Sequence, residues 1–177
     1  MAAVVFLKGI NVGGHRRFRP SVLAQQLERF DVVNVGATGT FVVRKPVAQS
    51  TIRAEITRRL PFEAEVMICN GSEILRAAND DPFAGQPVRP DIIRFMSVLA
   101  KRRPPSSSVP FAIPPDGRWC VRVLAQRDRF VFGVHRREMT AIGYLGQMER
   151  VFGGPVTTRS WSTILSVARI LQPEASR

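Results

Sequence analysis

The sequence is short of the residues that most chemistry needs. Its 177 residues include two cysteines, two histidines and one tyrosine. Cys69 and Cys120 both fall in strand-like apolar runs, and with His15 and His135 they lack the spacing of metal ligands. Free buried thiols in a reducing compartment account for them better than a disulfide does. There is no Gly-x-Ser-x-Gly elbow. There is also no Gly-Lys-Ser/Thr ending of a phosphate loop, and no G-x-G-x-x-G. Long apolar runs are missing too. The first stops at Leu7, too short for a signal-peptide core. None approaches the about 18 residues that a membrane helix needs. A soluble, cytoplasmic protein with no membrane contact is the expectation.

Acidic side chains are outnumbered, 14 against 26 Lys and Arg, for a net charge of +12. The excess is uneven. Residues 1–91 hold 12 basic and 9 acidic side chains, a net of +3; residues 92–177 hold 14 and 5, a net of +9. Such a balance favours polyanionic partners. A solvated basic surface accounts for it as simply. Hydrophobic residues at 45% are ordinary for a globular chain, and the length suits one large domain or two small ones.

What is present is best organised around residues 3–18. Ala3 to Leu7 is apolar and β-branched, the pattern of a strand buried on both faces. Gly9, Gly13 and Gly14 follow at once, with Asn11 among them, and then His15, Arg16, Arg17 and Arg19. A core strand thus delivers glycines, an amide and cations to one edge of the molecule.

The chain then reads as alternating elements. Leu23, Leu27 and Phe30 predict a helix over about Ser21 to Arg29. Val32 to Thr38 and Thr40 to Arg44 predict a hairpin, or a bulged strand, around Gly39. Ile52, Ile56 and Leu60 mark a second helix with Ser50 as its cap. Phe62 to Cys69 alternates as a half-buried strand. The order strand, helix, strand, strand, helix, strand is that of a ferredoxin-like unit, the split βαβ arrangement. Asn70 and Glu73 form a capping box for a helix ending near Ala78. Asp80 and Asp81 end it and read as a cap or turn rather than a carboxylate pair.

A second sheet, or a second half of one sheet, begins with Asp91 to Leu99. Prolines in residues 101–115 exclude helix and central strand. Trp119 to Ala125, followed by Phe130, Phe132 and Val134, predict a second hairpin turning at Gln126 to Arg129. Ile142, Leu145, Met148 and Phe152 suit a helix weakened by Gly143 and Gly146. Trp161, Ile164, Leu165, Ala168 and Leu171 form the clearest amphipathic stripe, a docking helix. The expected class is α+β, two ferredoxin-like subdomains with antiparallel sheets and helices on one face. The expected boundaries are 1–90 for the first subdomain and 91–177 for the second, with a Pro/Ser-rich loop at 101–115.

Two stretches resemble a known family. Phe6-Leu-Lys-Gly-Ile-Asn-Val-Gly-Gly14 and Thr157-Thr-Arg-Ser-Trp-Ser-Thr-Ile-Leu165 are similar to the opening and closing motifs of the domain of unknown function 1697 family. That family typically shows an L-R-G-I-N-V-G-G loop, an S-G-N turn and a closing T-T-R-N-W-N-T. The resemblance implies two ferredoxin-like subdomains and implies no activity. The chain departs at Lys8, which stands for arginine, at Thr38-Gly39-Thr40, which replaces the turn, and at Ser160 and Ser162, which replace asparagines. Arg159 and Trp161 are retained.

The candidate ligand-binding residues are Lys8, Gly9, Asn11, Gly13, Gly14, Arg16, Arg17, Thr38, Gly39, Thr40 and Arg159. Consecutive N–H groups of a glycine loop can cradle an anion. Glycines that serve only the turn explain the loop as well. A cation at Arg159, placed at the threshold of the last helix, opposes the helix dipole and calls for an anionic partner. That partner is either a carboxylate of this chain or a ligand. The leading expectation is a small phosphorylated or nucleic-acid ligand, with nucleotide or nucleic acid as partner. The alternatives are an enzyme acting on an anionic metabolite or nucleotide, assisted by Asn11, His15 or Thr40, and a protein-interaction module. No residue is assigned as catalytic, and no cofactor or metal is expected.

Overall fold

The structure is a computed structural model that describes residues 1–10 and 18–172. It is a mixed α+β protein with two antiparallel sheets. Two compact units divide the chain. One is Met1–Asn79 together with helix residues from Thr163 on, and the other is Asp80–Ser162. The grouping differs from a single cut at 90/91 in two places: residues 80–90 join the second unit, and the last helix continues into the first.

In the first unit the strands are β1 (Ala3–Lys8), β2 (Val32–Val35), β3 (Thr40–Val43) and β4 (Glu65–Asn70), in sheet order β2-β3-β1-β4. Helices α1 (Pro20–Gln26) and α2 (Gln49–Arg59) cross between strands. Their apolar stripes cover one sheet face, where Leu23, Leu27, Ile52 and Ile56 pack on Ala3, Val5, Leu7, Phe41, Val43, Val66 and Ile68. The opposite face, with Val4, Phe6, Val42 and Cys69, is fully buried as well. The alternation in β4 therefore misleads: Val66 to Cys69 are all buried, and the strand is not half-exposed.

Two helix boundaries shift from expectation. α1 stops at Gln26, and a 3-10 turn, Glu28–Phe30, finishes the segment. α2 opens at Gln49 with Ala48 as N-cap, so Ser50 lies inside the helix and does not cap it. One half of the capping box is present, with the Asn70 backbone N–H donating to the Glu73 carboxylate at 2.8 Å, while the Asn70 side-chain oxygen accepts from Gln49 at 3.1 Å. It opens α3 (Gly71–Asn79).

The second unit holds β5 (Ile92–Leu99), β6 (Phe111–Ile113), β7 (Val121–Arg127), β8 (Phe130–Arg136) and β9 (Val156–Ser160), in sheet order β6-β7-β8-β5-β9. The proline-rich segment supplies only the edge strand β6, as its missing donors dictate. α4 (Met139–Gly146) and α5 (Met148–Phe152) replace the single helix expected there, with Gln147 between them. Met148 and Phe152 enter a core with Phe95, Leu99, Val121, Val123, Val131 and Val156. β9 is not foreseen in the sequence. The last helix, α6 (Trp161–Leu171), follows it directly and buries Ile164, Val167 and Ala168. Its buried face thus includes Val167, which the expected stripe omits.

Candidate functional site

β1 is a core strand that ends on a charged residue. Val4 to Leu7 are completely buried, Lys8 is half-buried, and Gly9 turns the chain with φ at +76°. The backbone N–H of Leu7 donates to the Gly39 carbonyl at 2.8 Å. The β2–β3 turn is thereby fastened to the end of β1. Gly39 itself has φ at +71°, and a Cβ there would lie 2.5 Å from Ile10 Cδ1. The turn needs glycine for both reasons.

On the other side of β1, Lys8 is the register partner of Glu65 in β4. α2 lies over β4 and anchors there through Arg53, whose guanidinium donates to the Val66 carbonyl. Thr57 is one turn further along the same helix. Lys8, Gly9, Arg53, Thr57, Glu63, Ala64, Glu65 and Val66 line an open hollow of about 560 Å³. Two cations, a hydroxyl and two carboxylates thus share one wall. Such a lining can bind an anionic group at Lys8 and Arg53, and can accept hydrogen bonds from hydroxyl or amino groups at Glu63 and Glu65.

The structure brings Lys8, Gly9, Thr38, Gly39 and Thr40 to one end of the first sheet. Thr38 is exposed on the turn; Thr40 is fully buried beside Phe6. Asn11, Gly13, Gly14, His15, Arg16 and Arg17 lie outside the described residues. Arg159 belongs to the second unit. It sits within β9 opposite Met96, two residues before α6. Arg159 thus stands just before the last helix but as a strand residue, as do Thr157, Thr158 and Ser160. Arg159 Nη1 donates to Thr157 Oγ1 and to the Thr158 carbonyl, both at 2.8 Å. Burial pushes its guanidinium down to about 10. Trp161 packs its ring edge-on to Phe83 at 5.0 Å.

Sequence reasoning missed Arg53, Thr57, Glu63 and Glu65. The only signal for them is spacing: Arg53 and Thr57 are four apart, on one helix face. Among the described residues, no three His, Cys, Asp or Glu side chains cluster as metal ligands. Asp81 closes a turn by accepting from the Phe83 N–H at 3.1 Å. Among the described residues, no helix is long and apolar enough to cross a membrane.

The sequence model of a family described as Protein of unknown function (DUF1697) matches residues 1–112. The chain belongs to that family. The matched part of this DUF1697 protein contains the β1 end, the β2–β3 turn and α2; the closing motif around Arg159 lies beyond it. Its fold is similar to that of the conserved bacterial protein SP0830 from Streptococcus pneumoniae, with a TM-score of 0.60 over 97% of this chain and 98% of that one, at 10% identity. No curated protein matches the DUF1697 chain by sequence.

Proposed function

We propose that this protein binds a small phosphorylated ligand that also carries hydroxyl or amino groups, such as a nucleotide or sugar phosphate, at the end of β1. The frame is read as ferredoxin-like. The first unit has the βαββαβ order with sheet order β2-β3-β1-β4, and the second repeats that strand pattern as β7-β8-β5-β9.

One observation carries the reading. Lys8 and Gly9, expected from the sequence, share a hollow with Arg53 and Thr57, which arrive from a different element. Its volume falls in the range of small-molecule sites. Arg53 is held by a backbone carbonyl, so less rotamer freedom is lost when it meets an anion.

The test is calorimetric titration with a panel of nucleotides and sugar phosphates. Wild type should bind at least one member, and Lys8→Gln and Thr57→Val should each weaken it about tenfold or more. A panel without binding, or binding untouched by both substitutions in folded protein, contradicts the proposal.

A further inference from the structure

The second unit concentrates arginine on one strip at the start of β7 and the end of β8. Trp119 is its centre. Arg122 holds its guanidinium over the indole at 4.5 Å from the ring centroid, and Arg136 holds another at 4.4 Å. Arg136 Nε also donates to the Trp119 carbonyl at 2.8 Å. The two arginines are diagonal neighbours in the sheet, because Arg122 pairs with Val134, two residues before Arg136. Arg118 is bound to Glu138 at 3.1 Å, Arg137 Nε to the Pro90 carbonyl at 3.0 Å, and Arg89 to Asp91 at 2.9 Å.

The charge of this strip is unbalanced. Five arginines meet two carboxylates, Asp91 and Glu138; of the acids between them in sequence, Asp116 lies on the turn before Arg118 and Asp128 is paired with Arg102. The Arg122 guanidinium lies on the ring face, and no carboxylate is paired with it among the described residues. Arg122 and Arg136 are held on the indole and Arg137 by a carbonyl, while Arg118 and Arg89 are held by carboxylates, so the guanidiniums are presented in fixed positions. Guanidinium forks fit phosphate oxygens two at a time, which a point charge such as lysine does not. The strip contains arginine alone.

We infer that this arginine strip around Trp119 binds the phosphodiester backbone of a nucleic-acid strand. Phosphates engage Arg118, Arg122 and Arg137, while the outer guanidinium faces offer stacking surface to bases. The inference is independent of the hollow at β1 and uses no residue of it.

The experiment is fluorescence anisotropy of a labelled single-stranded oligonucleotide over a series of salt concentrations, with the full chain. Wild type should bind at low salt, with log K falling linearly against log salt. The triple variant Arg118→Gln, Arg122→Gln, Arg137→Gln should bind at least about tenfold more weakly, with a slope shallower by about 0.7 for each contact removed. Arg76→Gln, the same substitution at an exposed position of α3 and the control for each single change, should keep wild-type affinity. Lys8→Gln should also leave it unchanged, which separates this inference from the proposed function. If the triple variant does not fold, the exposed single changes Arg118→Gln and Arg137→Gln each carry the test, and Arg122→Lys should lose affinity despite its retained charge. Absence of binding at the lowest salt overturns the inference. So does an equal loss in Arg76→Gln. Binding to anionic lipid vesicles with none to the oligonucleotide also overturns it.

Discussion

The Leu7 amide and the Gly39 carbonyl, 2.8 Å apart, join the end of the first strand to a turn 32 residues away in sequence. Gly39 tolerates no side chain there. A Cβ would press on Ile10 Cδ1 at 2.5 Å and Leu7 Cβ at 3.0 Å, at a φ of +71°. Gly36, in the same turn with the same φ, has open space around it. Gly39→Ala should cost about 2–3 kcal/mol, and Gly36→Ala only the about 1 kcal/mol of a left-handed alanine. Urea unfolding of both variants checks the ranking. Equal costs would mean that the contact with Ile10 and Leu7 has no weight.

Much of this was legible in the residues, for identifiable reasons. Val4 to Leu7 could only be a core strand, and Lys8-Gly9 its exit. The order of the first six elements followed from apolar spacing. β9 was hidden because Val156, Thr157, Thr158, Arg159 and Ser160 show no apolar alternation; its Thr157 and Arg159 are buried polar residues placed by pairing with β5. The site was half legible. Lys8 and Gly9 announce themselves by following the strand. Arg53 and Glu65 join them only because α2 packs across β4, a long-range arrangement that no local spacing encodes.

Gly133 lies in the middle of β8, where a Cβ would meet the Arg122 carbonyl oxygen at 2.5 Å and the Phe95 ring at 2.4 Å. A strand carbonyl cannot move aside without breaking its ladder. Gly133→Ala should therefore destabilise the protein by about 3 kcal/mol or more, measured by the same urea titration. A change below about 1 kcal/mol would contradict this packing.

Gln126 is a buried amide that holds the proline-rich segment. Its Nε2 donates to the Pro104 carbonyl at 3.3 Å and the Asp128 carbonyl at 3.1 Å, and its Oε1 accepts from the Ser106 N–H at 2.8 Å. Gln126→Ala leaves those groups without their partner. The expected cost is about 2 kcal/mol, together with faster tryptic cleavage after Lys101 and Arg102. Unchanged cleavage would show that the segment is held by other contacts.

Glu55 on α2 gathers Arg59, Arg29 and Arg58. The hydrogen bond from Arg59, with the charges of Arg29 and Arg58, holds its carboxyl below the usual range against an opposing push from burial. A lowered folded-state value means stability that is present above the unfolded value and is lost as pH falls through the folded one. Wild type should exceed Glu55→Gln in urea midpoint near pH 7. The gap should close as pH falls below about 4. A gap independent of pH would contradict the ion-pair account.

The most direct test of the ligand site at β1 is an amide NMR titration of labelled protein with the tightest member of a phosphorylated panel. The account predicts that the first and largest shifts fall on Lys8, Gly9, Thr57 and Glu65. Shifts centred on other residues, or a spectrum unchanged at saturating ligand, would contradict it.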